Sequence, residues 1–250
     1  AAAEAAFLPC RSRLTGTSLK DRIALITGAS RGIGRATAKL LADEGAKVLL
    51  LGRDQKTLEA VDNEVSATGG KATLIPLDLQ DGASIDPLGP SLYQRFGHLD
   101  IFVGNAAMLG GLRPLTHIPS DIWEKVLATN LTANWRLIRT LDPLLRLSEA
   151  GRVVFVTSSR VAAQGRAYWA PYSVSKAGLE TLAKTYANET ADSPVKVNLV
   201  DPGATATAMR AEAYPGEDQS TIKDAEQVAA TIVSLCLPSV TETGQIVPVE

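Results

Sequence analysis

A chain of 250 residues, 45% hydrophobic and 21% charged, is long enough to bury one sizeable core and suits one large α/β domain. Its formal net charge of -2 leaves no electrostatic footprint for nucleic acid or an anionic membrane surface, and no apolar run approaches bilayer-spanning length. Two cysteines (Cys10, Cys236) and two histidines (His98, His117) fit no metal-ligand spacing, so no metal site is expected and a reduced, cytoplasmic protein is the default.

Residues 1–18 read as a short, partly mobile N-terminal extension with little targeting character, and residues 19–250 as the single domain. "RIALITG" (22–28) predicts a buried strand, and "GIGRATAKLLADEGA" (32–46) an amphipathic helix closed by Gly45. A second strand, "AKVLLLG" (46–52), leads into a helix over 54–70 with Asp54 as its N-cap. Further strands are expected at 71–79, 100–107, 151–159, 195–203 and 243–250, with helices around 121–141, 171–190 and 224–237. Strands too apolar to show a wet face, alternating with helices, define a doubly wound parallel sheet covered on both faces, a Rossmann-like α/β fold.

"LITGASRGIG" joins the first strand to the first helix. Glycines at this turn let the backbone approach a ligand, and the helix start offers free N–H groups to a pyrophosphate; a plain tight turn is the blander alternative. No Gly-Lys-Ser/Thr follows, so it is not a P-loop. The second strand ends in Gly52 and Arg53 rather than a carboxylate, and Arg31 lies inside the glycine turn. Two guanidinium groups there favour the extra phosphate of NADP over NAD. Asp54 is close enough in sequence to pair with Arg53, and both arginines could equally be solvated loop residues.

Tyr172 and Lys176 in "PYSVSK" are one helical turn apart and share a helix face. They are either ordinary neighbours or an acid–base pair in which the ammonium lowers the phenol's pKa from about 10 towards working pH. "TGASRGIG" (27–34), "NAA" (105–107), Asn130 in "ATNLTAN", "TSS" (157–159), "YSVSK" (172–176) and "DPGATAT" (201–207) occur in one order along the chain. In that order the chain resembles the short-chain dehydrogenase/reductases from about Leu19 onward.

The resemblance implies a proton donor at Tyr172, with Lys176 binding the nicotinamide ribose and tuning the phenol. It implies a substrate-binding serine thirteen residues before the tyrosine, which is Ser159; counting from the strand start at Gly151 favours Ser158 instead, and the shorter path selects Ser159. Asn130 would bend its helix and hold a water in a proton relay to Lys176. The cofactor would lie against Gly28, Ser30, Arg31, Gly32, Ile33 and Gly34, with Arg53, Asp78 and Leu79 near the adenosine. Asn105, Ala106, Pro202, Gly203, Thr205 and Thr207 would complete its bed. The family's usual Asn-Asn-Ala-Gly reads Gly104-Asn105-Ala106-Ala107 here, which puts local strand–helix packing in doubt.

The implied function is hydride transfer between NADP(H) and a carbonyl or secondary alcohol by a Ser-Tyr-Lys mechanism, in a homodimer or homotetramer. A non-catalytic NADP-binding sensor on the same fold is the alternative, and such a sensor has no need of the Tyr172–Lys176 pair. The segment after Thr207, with its Pro215-Gly216 turn, would form a flap over the substrate. Tyr168 and Trp169 either line its entrance or simply pack.

Overall fold

The computed structural model describes residues 18–249, so nearly all of the expected N-terminal extension, with Cys10, lies outside the described residues. Every segment expected as a strand forms one: β1 (Ile23–Thr27), β2 (Lys47–Gly52), β3 (Lys71–Pro76), β4 (Ile101–Gly104), β5 (Arg152–Val156), β6 (Lys196–Asp201) and β7 (Ile246–Pro248). They pair in parallel in the order β3-β2-β1-β4-β5-β6-β7. The chain order reverses between β1 and β4, which opens a crevice at the carboxyl ends of the strands, the usual place for a ligand in such a sheet.

Strand periodicity of two splits each apolar run between two cores. Ala24, Ile26, Val48, Leu50, Val103 and Val154 face one layer, with Leu41 of α1 (Gly32–Asp43), Val61 and Val65 of α2 (Gln55–Ala67), and Ile232 of α10 (Ala225–Leu235). Leu25, Leu49, Phe102, Val153 and Phe155 face the other, with Leu92 of α4 (Leu88–Phe96), Leu137 of α6 (Ala133–Arg146) and Leu179 of α8 (Ala170–Glu189). Leu19 is fully buried in the first core and donates its N–H to the Glu44 carbonyl.

The structure adds elements that the pattern hides. A short α3 (Gly82–Ile85) and α4 join β3 to β4, although no helix was expected there. Pro87 caps α4 and Pro90 falls in its first turn, where a helix has no use for an N–H, so the prolines are tolerated while they mask the signal. The helix expected over 121–141 is three pieces end to end: α5 (Ser120–Leu127), a π turn (Ala128–Thr132), and α6, which runs through Pro143 to Arg146. Two short helices, α7 (Ser159–Gln164) and α9 (Ala208–Ala213), flank the crevice. Among the described residues no helix is long and apolar enough to cross a membrane.

At the amino end of β5, Arg152 is buried and, among the described residues, has no carboxylate partner. Its guanidinium donates to the carbonyls of Gly151, Pro194, Leu237, Pro238 and Val240 at 2.6 to 3.1 Å. Burial holds its pKa down to about 10, and the neighbouring thiol of Cys236 is pushed up to about 12 for the same reason. Arg152→Leu leaves those acceptors without a donor and is expected to cost about 3 kcal/mol or more. Urea unfolding should show a lower midpoint at unchanged slope; a wild-type midpoint would mean that water satisfies the carbonyls.

Candidate active site

The glycine turn is pinned to the carboxyl end of the sheet by Ala29, whose N–H donates to Leu51 of β2 at 3.2 Å. Asn105, just past β4, ties the two sides of the crevice together. Its backbone N–H donates to Thr27 Oγ1 at 3.0 Å, and its side-chain Nδ2 donates to the carbonyls of Thr27 at 2.9 Å and Gly28 at 3.3 Å. Gly34 sits against this knot: a Cβ there would collide with the Gly28 carbonyl and come within 2.5 Å of Asn105 Nδ2. The turn therefore presents backbone to the crevice, as a phosphate-binding turn requires.

Ser30, Arg31, Gly32 and Ile33 line that turn, with Arg31 exposed at the N-cap of α1. Arg53, Asp78 and Leu79 lie at the ends of β2 and β3, joined by the bond from Leu77 N–H to the Gly52 carbonyl. Asp54 does not pair with Arg53, as its position had suggested it might. Its carboxylate instead accepts Thr57 N–H at 2.8 Å and caps α2. Among the described residues neither Arg31 nor Arg53 has an acidic partner, and two exposed guanidinium groups stand free at this end of the crevice.

On the opposite side, Gly203 N–H is held by Asp201 Oδ1 at 3.1 Å, and the buried Thr205 donates its hydroxyl to the Pro202 carbonyl at 3.1 Å. Thr205 thus shapes the loop from within. Thr207 caps α9, its hydroxyl accepting Arg210 N–H at 3.2 Å. Ala106 N–H donates to Thr27 Oγ1 at 3.0 Å, alongside Asn105. The replacement of the usual asparagine by Gly104 leaves packing intact for a visible reason. A Cβ at 104 would run into the Phe155 ring and approach Asn134 Oδ1 to 2.8 Å, so the large neighbour occupies the space.

Helix α8 brings the reactive groups to the exit of β5. Tyr172 is buried, edge-on to Trp169 at 5.9 Å between ring centroids, with Leu109, Met209 and Tyr214 in the same cluster. One turn on, Lys176 is 2% exposed; its Nζ donates to the Val156 carbonyl at 2.7 Å and lies 5.7 Å from the Tyr172 ring centroid. The two candidate serines differ in their surroundings. Ser158 is the serine whose side chain acts on the Tyr172 phenol, tempering the rise in its pKa. Ser159 is the first residue of α7, so its side chain turns away and its hydroxyl donates to Glu180 at 2.8 Å.

The expected lowering of the phenol's pKa is also overturned in this structure. Burial pushes Tyr172 up to about 12, with the negative charge of Asp201 adding to the rise and the Ser158 hydrogen bond only partly opposing it. Lys176 is itself brought down to about 8 by burial, against the pull of Glu180. Stripping water from both groups outweighs what the pair gains by proximity.

Asn130 is fully buried in the π turn. Its Oδ1 accepts Met108 N–H at 2.9 Å, and its Nδ2 donates to Met108 O and Ser175 Oγ, both at 3.0 Å. Its carbonyl accepts Asn134 Nδ2 at 2.8 Å. The sequence reading held Ser158 as its second choice and did not single out Asp201 or Glu180. Glu180 had a signal, since it falls one turn beyond Lys176; Asp201 ends a strand and is recognisable only in three dimensions.

A parallel sheet of this order, a glycine turn at its switch point and a buried tyrosine–lysine pair define a dinucleotide-dependent oxidoreductase fold. The short chain dehydrogenase family model matches residues 22–218, and the chain belongs to that family. The oxidoreductase YciK of Escherichia coli K12 is 39% identical over 208 residues, 82% of each chain. A 3-oxoacyl-[acyl-carrier-protein] reductase of Synechocystis is 34% identical over 194 residues, covering 77% of this chain and 78% of its own. A short chain dehydrogenase from Shigella flexneri, solved in complex with NADP, superposes with a TM-score of 0.90 at 35% identity, over 94% of this chain and 99% of that one.

Proposed function

We propose that the chain interconverts a carbonyl and a secondary alcohol using NADP(H), with Ser158, Tyr172 and Lys176 as its reacting side chains. The carrying observation is the buried phenol of Tyr172, one helical turn from the Lys176 ammonium at the carboxyl end of the sheet, with the Ser158 side chain acting on it. When bound, the nicotinamide donates or accepts hydride. The backbone-lined turn at Gly28–Gly34, Asn105, and the loop from Pro202 to Thr207 fit a dinucleotide, and the free guanidinium groups of Arg31 and Arg53 fit the 2′-phosphate.

In the reductive direction Tyr172 arrives protonated and gives its proton to the substrate oxygen. Ser158 donates to that same oxygen as negative charge develops on it. The Lys176 ammonium offsets the phenolate left behind. Asn130 holds the π turn to Ser175 and Met108, and so fixes the residue next to Lys176.

The test is NADPH oxidation with a panel of ketones and oxoacyl thioesters, followed by nicotinamide absorbance. Tyr172→Phe should lower kcat/KM by about 10³-fold. Ser158→Ala should lower it by about 10²-fold and Ser159→Ala far less. Equal losses for the two serines would reject the assignment of Ser158. Cofactor binding with no turnover anywhere in the panel would favour the sensor reading.

Two further outcomes follow from charge. Lys176 loses its proton as pH rises through about 8, whereas Tyr172 keeps its own to about 12. Reductive kcat should therefore be level below about pH 8 and fall above it; a rate that climbs through that range would contradict the role of the ammonium. Arg53→Ala should weaken NADPH binding about tenfold and leave NADH unchanged, as read by nicotinamide fluorescence titration. An equal loss for both cofactors would place Arg53 outside the phosphate site.

A further inference from the structure

Helix α8 sets three side chains on one face at successive turns, and each reads a different point on the four residues from Val156, the last of β5, to Ser159. The Ser158 side chain acts on the Tyr172 phenol, and Lys176 donates to the Val156 carbonyl at 2.7 Å. Glu180, one turn further, accepts hydroxyl donors from Thr157 at 2.7 Å and from Ser159 at 2.8 Å, both on the same Oε1. Those two residues flank Ser158. Consecutive residues at a strand exit point in different directions, so clamping both neighbours leaves the intervening serine one orientation.

We propose that Glu180 is a positioning residue for the reaction: its carboxylate fixes Ser158 beside Tyr172 through Thr157 and Ser159, one helical turn from the Lys176 ammonium. The inference rests on the function proposed for Ser158, Tyr172 and Lys176, and nothing in that function requires Glu180. The titratable groups around the stack are Tyr172, Lys176 and Glu180 on α8 and Asp201 at the end of β6. Arg160 of α7 is exposed, and the π turn supplies only the amide of Asn130.

Asp201 is engaged elsewhere, accepting Ser159 N–H on Oδ2 at 3.2 Å and Gly203 N–H on Oδ1, so it braces the strand exit from the far side. Its charge acts on Tyr172, whereas the charge that supports the lysine comes from Glu180. The two carboxylates divide the work. An anion beside a buried ammonium favours the protonated form, so removing it lowers the lysine's pKa.

Glu180→Gln keeps the shape and one acceptor but removes the charge. An NMR titration of isotope-labelled lysine in the NADPH-saturated protein, with the Lys176 signal assigned by its loss in Lys176→Arg, reads the effect without turnover. The Lys176 midpoint should fall by about one pH unit in Glu180→Gln and return towards wild type in Glu180→Asp. An unmoved midpoint overturns the electrostatic half of the proposal, whether or not any carbonyl is reduced.

The double variant Thr157→Val, Ser159→Ala keeps the carboxylate and removes both tethers. On any carbonyl the wild type reduces, its kcat should fall at least about tenfold while NADPH affinity and the alkaline limb stay in place. A wild-type kcat in the double variant overturns the positioning half. A wild type that reduces nothing in the panel counts against the proposed function, and leaves the lysine titration to decide for Glu180.

Discussion

Lys176 is an ammonium group shut away from water, and what receives it is one carbonyl, that of Val156, 2.7 Å away. Such burial is costly unless the charge finds an oxygen. The requirement fixes α8 against the end of β5 and, with it, the place of every other group in the site. Tyr172 rides one turn before the lysine and Glu180 one turn after. The strand exit supplies Ser158 between the two hydroxyls that Glu180 holds. The crevice is thus a consequence of docking a helix on a strand end, with the glycine turn and Asn105 closing the other side.

The same burial explains why the two reactive groups depart from their ordinary behaviour in opposite directions. Desolvation raises the phenol and lowers the ammonium, so both are driven towards neutrality. A neutral phenol is a competent acid. The lysine, by contrast, is brought down by burial, and the charge of the carboxylate one turn away pulls in the other direction. Aromatic packing of Trp169 and Tyr214 over the phenol supplies the dryness that makes these shifts large.

Much of this was legible in the chain itself. Short apolar runs between glycine- and carboxylate-rich turns marked all seven strands, because strands covered on both faces tolerate almost nothing polar. Tyr172, Lys176, Asn105 and the glycine turn were found by spacing, and the geometry sets them around one crevice. Three matters were not legible. The choice between Ser158 and Ser159 depends on the residue at which α7 begins, and a one-residue change in a strand exit reverses where a side chain points. The pKa of Tyr172 depends on water being excluded by residues far away in sequence, such as Met209 and Tyr214, which no local pattern reveals. The helix over Leu88–Phe96 was hidden by prolines harmless in a first turn.

Arg152 lies at the other end of the strand that carries Ser158, and its five carbonyl partners belong to β5's own lead-in, the approach to β6 and the segment after α10. A strand gripped in this way behaves as a bolt secured at the head: it cannot creep along its axis without tearing several bonds together. The depth at which the serine protrudes into the crevice is therefore set from the opposite rim of the sheet. The loops around the mouth, from Pro202 to Thr207 among them, supply none of these bonds.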